Sequence, residues 1–138
     1  TDGRQKLLVG DDSGRIYGYE FKRGEPQIQF TTKVFENPVS CIALGGSDPL
    51  RRDKIFISCD QTVKGLTKKG KEFFTMSSSL TEPIQSIHIE NTMIWTSCES
   101  ILNTYDDGKG ELSHHYHYSF IAITIAILNI LTSASLLP

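Results

Sequence analysis

No two cysteines of this chain stand at the Cys-x-x-Cys spacing that zinc ribbons and thioredoxin-like redox sites require. The three present, Cys41, Cys59 and Cys98, are odd in number and widely spaced, so they do not suggest a disulfide framework. Each lies in an apolar, strand-like run, where a free thiol behaves as a small core side chain. A reducing compartment is the simplest expectation, and the lack of an Asn-x-Ser/Thr sequon agrees with it. Also lacking is a basic surplus: the formal net charge is −2, which argues against a nucleic-acid partner. The densest cationic group, Lys68, Lys69 and Lys71 around Gly70, reads as the solvated tip of a hairpin. Helical periodicity is missing before residue 119, and no charged-then-apolar leader opens the chain. Thr1 stands where an initiator Met would, and a strand-like run begins at Lys6, so the chain is expected to be an excerpt of a longer protein.

What is present is a repeat. Its clearest copy is Lys54 to Met76, in which Lys54–Cys59, Thr62–Thr67 and Glu72–Met76 are β-rich runs. They are parted by Asp60-Gln61 and by Lys68–Lys71, the pattern of antiparallel strands joined by tight turns. A fourth run, Ile84–Ile89, follows Glu82-Pro83. The preceding unit has the same order: Lys6–Gly10, a turn at Asp11–Gly14, Arg15–Phe21, a turn at Lys22–Glu25, Gln27–Phe30, then Val39–Leu44 after Asn37-Pro38. In Arg15–Phe21 the alternation puts Ile16, Gly18 and Glu20 on one face and Tyr17, Tyr19 and Phe21 on the other. A third unit runs through Met93–Cys98, Ile101–Tyr105 and Leu112–Tyr118 to Phe120–Ile127.

Four-stranded units at a period of roughly 40–45 residues are the signature of β-propeller blades. The fold class is therefore all-β, an incomplete propeller of about three blades, expected at residues 5–48, 53–91 and 92–127. Three blades are too few for closure, since propellers ordinarily close with about four to eight. Trp95 is followed by Thr96 rather than by the Asp of a Trp-Asp repeat, and it reads as core. The domain expected is a partial propeller over 1–118, followed by an uncharged apolar tail at 119–138. In the tail Ile121, Ile123, Ile125 and Ile127 alternate as in a strand, while the length nears that of a membrane span. Strand, membrane anchor and altered terminus all stay open.

Little in the sequence points to chemistry. His115 and His117 would share a face of a strand, with His114 beside them, yet no nearby Cys or carboxylate completes a tetrahedral metal set. Asp106-Asp107-Gly108 lacks the remaining oxygens of a calcium loop, and Asp11-Asp12 suits a turn better than a catalytic pair. There is no Gly-x-Ser-x-Gly elbow around the Ser77–Ser79 run, and no Walker or dinucleotide loop. No catalytic, cofactor-binding or metal residue is assigned, and no cofactor or small-molecule substrate is expected. The loops Asp11–Gly14, Gly45–Arg52 and Lys68–Lys71 are contact candidates because loops carry function more often than cores do.

The middle unit also carries a specific likeness. Lys54–Ile57, Val63–Lys71 and Leu80–Glu82, with Ile84 and His88-Ile89, resemble the N-terminal propeller of the family of Bardet–Biedl syndrome protein seven, a BBSome subunit. Val9–Asp11, Ser13-Gly14, Lys22, Gly24-Glu25 and Leu44–Gly46 agree in the first unit, as do Ser97, Ile101, Asn103 and Tyr105 in the third. The likeness runs from about residue 5 to 118, and the tail departs from it. It implies a seven-bladed propeller followed by a coiled coil and further domains, and a non-enzymatic scaffold in a coat-like complex that moves membrane proteins into and out of cilia. The partners implied are the second and ninth Bardet–Biedl proteins, with ciliary membrane cargo met indirectly. The locations implied are the cytoplasm, the cilium, its basal body and, peripherally, its membrane. Two other readings remain at this stage: a propeller enzyme of quinoprotein or hydrolase type, and a protein anchored through residues 119–138.

Overall fold

The computed structural model describes residues 5–45, 48–49, 51–78, 81–106 and 111–117, the last segment as backbone. Eleven strands follow one another without a helix among the described residues. They are β1 (Lys6–Gly10), β2 (Arg15–Lys22), β3 (Glu25–Lys33), β4 (Cys41–Leu44), β5 (Lys54–Cys59) and β6 (Thr62–Thr67). β7 (Glu72–Ser77), β8 (Ser86–Glu90), β9 (Met93–Ser97), β10 (Ile101–Asp106) and β11 (Glu111–His117) complete the set. The turns form where their chemistry dictates. At Arg23-Gly24 both residues have positive φ, 53° and 82°, the two-residue geometry that matches the twist of paired strands. Asp60 and Asn91, at φ 48° and 53°, occupy the same left-handed region in their turns, which Asp and Asn tolerate better than most residues.

Every pairing is antiparallel, and the strands form three sheets ordered β1-β2-β3, β4-β5-β6-β7 and β8-β9-β10-β11. The strands lie where the alternation places them, but the sheets begin one strand earlier than the sequence units. β4, read from sequence as the last strand of the first unit, pairs with β5 through Ile42↔Ile57, and β8 likewise pairs with β9. A period fixes the length of a repeating unit and leaves its starting point open, so a shift of one strand was invisible until the hydrogen bonds assigned it. Among the described residues the first sheet consequently has three strands and the other two have four. The tail at 119–138 lies outside the described residues.

Consecutive sheets stack face to face, and the second and third approach most closely at β4 and β8. Two hydrophobic cores lie between the described sheets, and a smaller cluster of Leu102 and Trp95 lies on the third sheet. Between the first and second sheets lie Ile16, Phe35, Ile55, Ile57, Cys59 and Leu66. Between the second and third lie Phe56, Val63, Met76, Ile84, Ile87, Ile94 and their neighbours. β5 is consecutively buried from Ile55 to Cys59 because it feeds both cores at once, the pattern of a strand covered on both faces. On the far face of the first sheet Leu7, Val9, Phe21 and Ile28 are exposed among the described residues, beside the stacked rings of Tyr17 and Tyr19.

One irregularity recurs in all three sheets. The register shifts between Gly18 and Tyr19, between Gly65 and Leu66, and between Thr104 and Tyr105, each time between the second-last and last strands. Such bulges sharpen the local twist. In the first two, glycine makes room for an aromatic ring: an added Cβ would lie 2.3 Å from Phe30 Cε1 at Gly18 and 2.8 Å from Phe73 Cζ at Gly65.

Candidate interaction surfaces

The three loops singled out in the sequence are built differently. In the first, Asp11 is a folding knot. One carboxylate oxygen accepts hydrogen bonds from the backbone N–H of Ser13 (3.0 Å) and of Arg15 (2.9 Å) and from Ser13 Oγ (2.8 Å). The other accepts from the Tyr17 hydroxyl at 3.0 Å. The Arg15 N–H, above all, holds the Asp11 carboxyl below its ordinary value, with Ser13 and Tyr17 assisting and burial opposing. Its oxygens are occupied by the turn, which fits the turn reading of Asp11-Asp12.

In the second loop Arg51 turns inward while Arg52 is exposed. Arg51 is buried, its guanidinium lies 5.3 Å from the centroid of Phe56, and Nη2 reaches the Thr92 carbonyl at 3.5 Å. The arginine thus ties the β4–β5 loop of one sheet to the β8–β9 turn of the next. In the third loop Lys68 and Lys69 are exposed, with Lys68 Nζ 3.4 Å from Asp53, while Gly70 is buried and its carbonyl accepts from the Thr32 hydroxyl at 3.0 Å. Lys54 and Lys64 lie over the rings of Phe73 and Phe35, at 4.8 and 5.5 Å. The ammonium groups themselves face the rings, a cation–π arrangement, and Lys64 Nζ also meets Glu72 at 3.1 Å.

These loops give the sheets opposite electrical ends. Arg23, Arg52, Lys68, Lys69 and Lys71 sit in turns at one end of the first two sheets, outnumbering Asp48 and Asp53 there. Asp11, Asp12, Asp60, Glu82 and Glu99 sit in turns at the other. At the acidic end the carboxylates also join elements. Asn37 Nδ2 donates to Asp60 at 2.9 Å, and Glu82 accepts from the Ser100 backbone N–H at 2.9 Å and from its hydroxyl. Nothing in the sequence marked Glu82 and Ser100 as partners, because they meet only when the loop before β8 folds over the β9–β10 turn.

At the basic end a groove of about 870 Å³ opens between the first and second sheets. Leu8, Phe30, Ile42 and Ile55 form its apolar floor, and Lys6 and Arg52 stand on its rim. Sequence reasoning missed this groove, since it requires knowing which sheets face each other.

Among the described residues no group of three or more His, Cys, Asp and Glu is arranged to hold a metal ion. His114, His115 and His117 stand in register with Thr104, Asn103 and Ile101, and their side chains lie outside the described residues. So do Asp107-Gly108. The three thiols are unpaired, with Cys59 and Cys98 buried and Cys41 half-buried. No helix among the described residues is long and apolar enough to cross a membrane.

Stacked antiparallel sheets that meet along their inner strands define the class: this is a segment of a β-propeller. Solved structures agree. Sqt1 of Saccharomyces cerevisiae superposes with a TM-score of 0.68 at 14% identity over 81% of this chain and 35% of that one. The C-terminal WD40 domain of Sif2 gives 0.67 at 15% identity over 81% and 33%. At such identities these neighbours speak to the fold alone.

The family follows from sequence comparison. The profile of the BBS7 beta-propeller matches residues 1–133, and the chain belongs to that family. "BBSome complex member BBS7" of Mus musculus is 34% identical over 107 residues, 78% of this chain. "BBSome complex member bbs-7" of Caenorhabditis elegans is 28% identical over 102 residues, 73% of it. The chain spans 15% and 14% of the lengths of these relatives. The profile extends past residue 118, where the likeness was traced from sequence, and takes in most of the apolar tail.

Proposed function

We propose that this chain is part of the propeller of a BBSome subunit, and that it acts there as a non-catalytic scaffold presenting loops and sheet edges to neighbouring subunits. The observation that carries the reading is the family match across residues 1–133, supported by relatives named as BBSome members. The architecture suits it. Loops at opposite ends carry opposite charge, which favours oriented docking, because complementary charge governs orientation and encounter rate more than affinity. The polar side chains most densely engaged, Asp11 and Glu82, are spent on turns and joints, and this favours a platform over an enzyme.

On this reading the partners are other BBSome subunits, the second and ninth Bardet–Biedl proteins first among them, and membrane cargo is met through the assembled complex. The locations are the cytoplasm, the cilium and its basal body, with peripheral contact to the ciliary membrane. The test is affinity purification of the tagged full-length protein from ciliated cells. Co-elution with the other BBSome subunits in one high-mass fraction is expected; fractionation as a lone monomer would sink the reading.

A further inference from the structure

At the end of the sheets where Arg52 and Lys68 lie, the sign of the charge changes from one sheet to the next. The first two sheets expose Lys22, Arg23, Arg52, Lys68, Lys69 and Lys71 there. The carboxylates beside them are Glu25, Asp48, Asp53 and Glu72. Two of these are already matched, Glu72 by Lys64 at 3.1 Å and Asp53 by Lys68 at 3.4 Å. Among the described residues Arg23, Arg52, Lys69 and Lys71 form no ion pair. The third sheet is the reverse. It has no Lys or Arg from Ser86 to Asp106, and its strands β8 and β10 end there at Glu90 and Asp106.

The β6–β7 turn, which carries three of these cations, is fastened in place. Thr67 N–H donates to the Lys71 carbonyl and Gly70 N–H to the Thr67 carbonyl, both at 2.8 Å. Lys71 N–H adds a bond to Thr67 Oγ1 at 3.2 Å. The closed turn leans across onto the first sheet, where Gly70 is buried against β3 and bonded to Thr32. An added Cβ at Gly70 would lie 2.5 Å from Phe30 Cδ2, so glycine permits this close approach. Lys68 and Lys69 consequently stand over the joint between the two sheets, beside Arg52 at the rim of the groove. Cations held in position lose less conformational entropy on binding than cations on a loose loop.

We propose that this bounded basic face is the docking surface for an acidic segment of a neighbouring subunit, a run rich in Asp and Glu whose carboxylates meet Arg52, Lys69 and Lys71. The third sheet selects this occupant. A flat anionic bilayer laid across the whole end would press on Glu90 and Asp106 as well. A peptide segment follows the first two sheets and stops short of the third. The acidic third sheet repels any segment that overruns it, and so fixes where the partner ends. Complementary charge at such a surface governs orientation and encounter rate. This rests on the reading of the chain as a scaffold among subunits, although the surface can also be probed without them.

The probe is a fluorescent oligoglutamate peptide titrated with the full-length protein at low and at physiological ionic strength. Binding weakened by salt is expected. Lys68→Glu combined with Lys69→Glu should weaken it by at least about tenfold at low salt and leave the thermal midpoint nearly unchanged. Lys68→Arg combined with Lys69→Arg should retain it. No binding, or binding that the Glu pair leaves intact, would overturn the proposal whether or not the protein enters the BBSome. In the purified assembly, carbodiimide joins an amine directly to a carboxylate, and it should link Lys69 or Lys71 to an Asp or Glu of another subunit. Links only to carboxylates of their own chain would overturn the proposal. So would a Glu variant that loses phosphatidylserine vesicles and keeps its subunits, since the face would then belong to a membrane. A wild-type protein that joins no BBSome subunit counts against the family role, and the peptide titration still decides this surface.

Discussion

Phe56 and Ile57 are covalent neighbours with no accessible surface, and they belong to different hydrophobic cores. Phe56 packs towards the third sheet with Val63 and Ile94, and Ile57 towards the first with Ile16 and Leu66. Truncating each therefore weakens a different sheet–sheet joint. Phe56→Ala should cost about 3–5 kcal/mol and Ile57→Val about 0.5–1.5 kcal/mol, the ranges for cavity formation on losing a ring or one methyl. Urea unfolding gives the totals, and hydrogen exchange locates them. The first substitution should loosen β8 and β9 before β1 and β2, and the second should do the reverse.

The glycines at the bulges are expected to resist even the smallest substitution. At Gly18 a methyl group would intrude on the ring of Phe30, and at Gly65 on Phe73 and the Cβ of Phe74. Gly18→Ala and Gly65→Ala should each destabilise by about 1–3 kcal/mol through overpacking. Gly24→Ala provides a contrast: nothing lies within 4 Å of an added Cβ, so its cost comes only from the positive φ of 82°. Denaturation of the three variants separates crowding from backbone strain. If shrinking the ring with Phe30→Leu fails to relieve Gly18→Ala, crowding is not the cause.

The strands were legible as short β-rich runs, alternating in β2 and continuously apolar in β5, and the turns because Asp11–Gly14, Arg23-Gly24 and Lys68–Lys71 are chemically distinct from the runs they separate. The two-face burial of β5 could be read as an apolar run but not assigned to two cores. Sheet membership was legible for β1–β3, β5–β7 and β9–β11 but not for β4 and β8, since such a strand looks alike whether it ends one blade or begins the next. The same holds for contacts between units. Arg51 reads in sequence as one more loop cation, yet its guanidinium lies over Phe56 and reaches Thr92. The charge division between the two ends was present in the sequence, but only the strand directions sort the turns into two groups.

His88 should make stability depend on pH near neutrality. It sits on β8 opposite Trp95, and both His88 Nε2 and Trp95 Nε1 are buried without a hydrogen-bond partner among the described residues. Burial disfavours the imidazolium and holds the group below its ordinary 6.5, with the Glu90 carboxylate pulling the other way. Between that depressed value and 6.5 the unfolded chain binds more protons than the folded one, so stability falls as pH drops through this window. Above it the group contributes no pH dependence. Asp11 and Glu72 act in a separate range. Both are held below their ordinary values, 3.8 and 4.5, chiefly by the Arg15 N–H and the Thr75 hydroxyl respectively. Their contribution is complete above those values and is lost as pH falls through the depressed ones. Urea midpoints at several pH values between neutrality and mildly acid conditions isolate the histidine, and His88→Gln should flatten the slope. An unchanged slope in the variant would assign the dependence to another group.

The three thiols should react in order of exposure, the half-buried one first. Cys98 is 1% exposed, and burial, reinforced by the nearby Glu82 carboxylate, pushes its thiol up to about 11 from 9.0. That alone lowers the thiolate fraction about 100-fold at mildly alkaline pH, and the thiolate is the nucleophile. Cys59 is also buried, with its thiol raised by burial and by Asp60. Cys41 is raised by burial too, but it lies only half-buried at the inner edge of the second sheet. With an excess of an aromatic disulfide reagent under native conditions, Cys41 is expected to label first. Cys59 and Cys98 should follow at a rate set by opening of the sheets, and all three should become equivalent in denaturant. Phe56→Ala should then accelerate Cys98, which shares its core, more than Cys59, which faces the other way. Equal acceleration of the two thiols would mean that the cores open as one unit, and the two-joint description of β5 would fail.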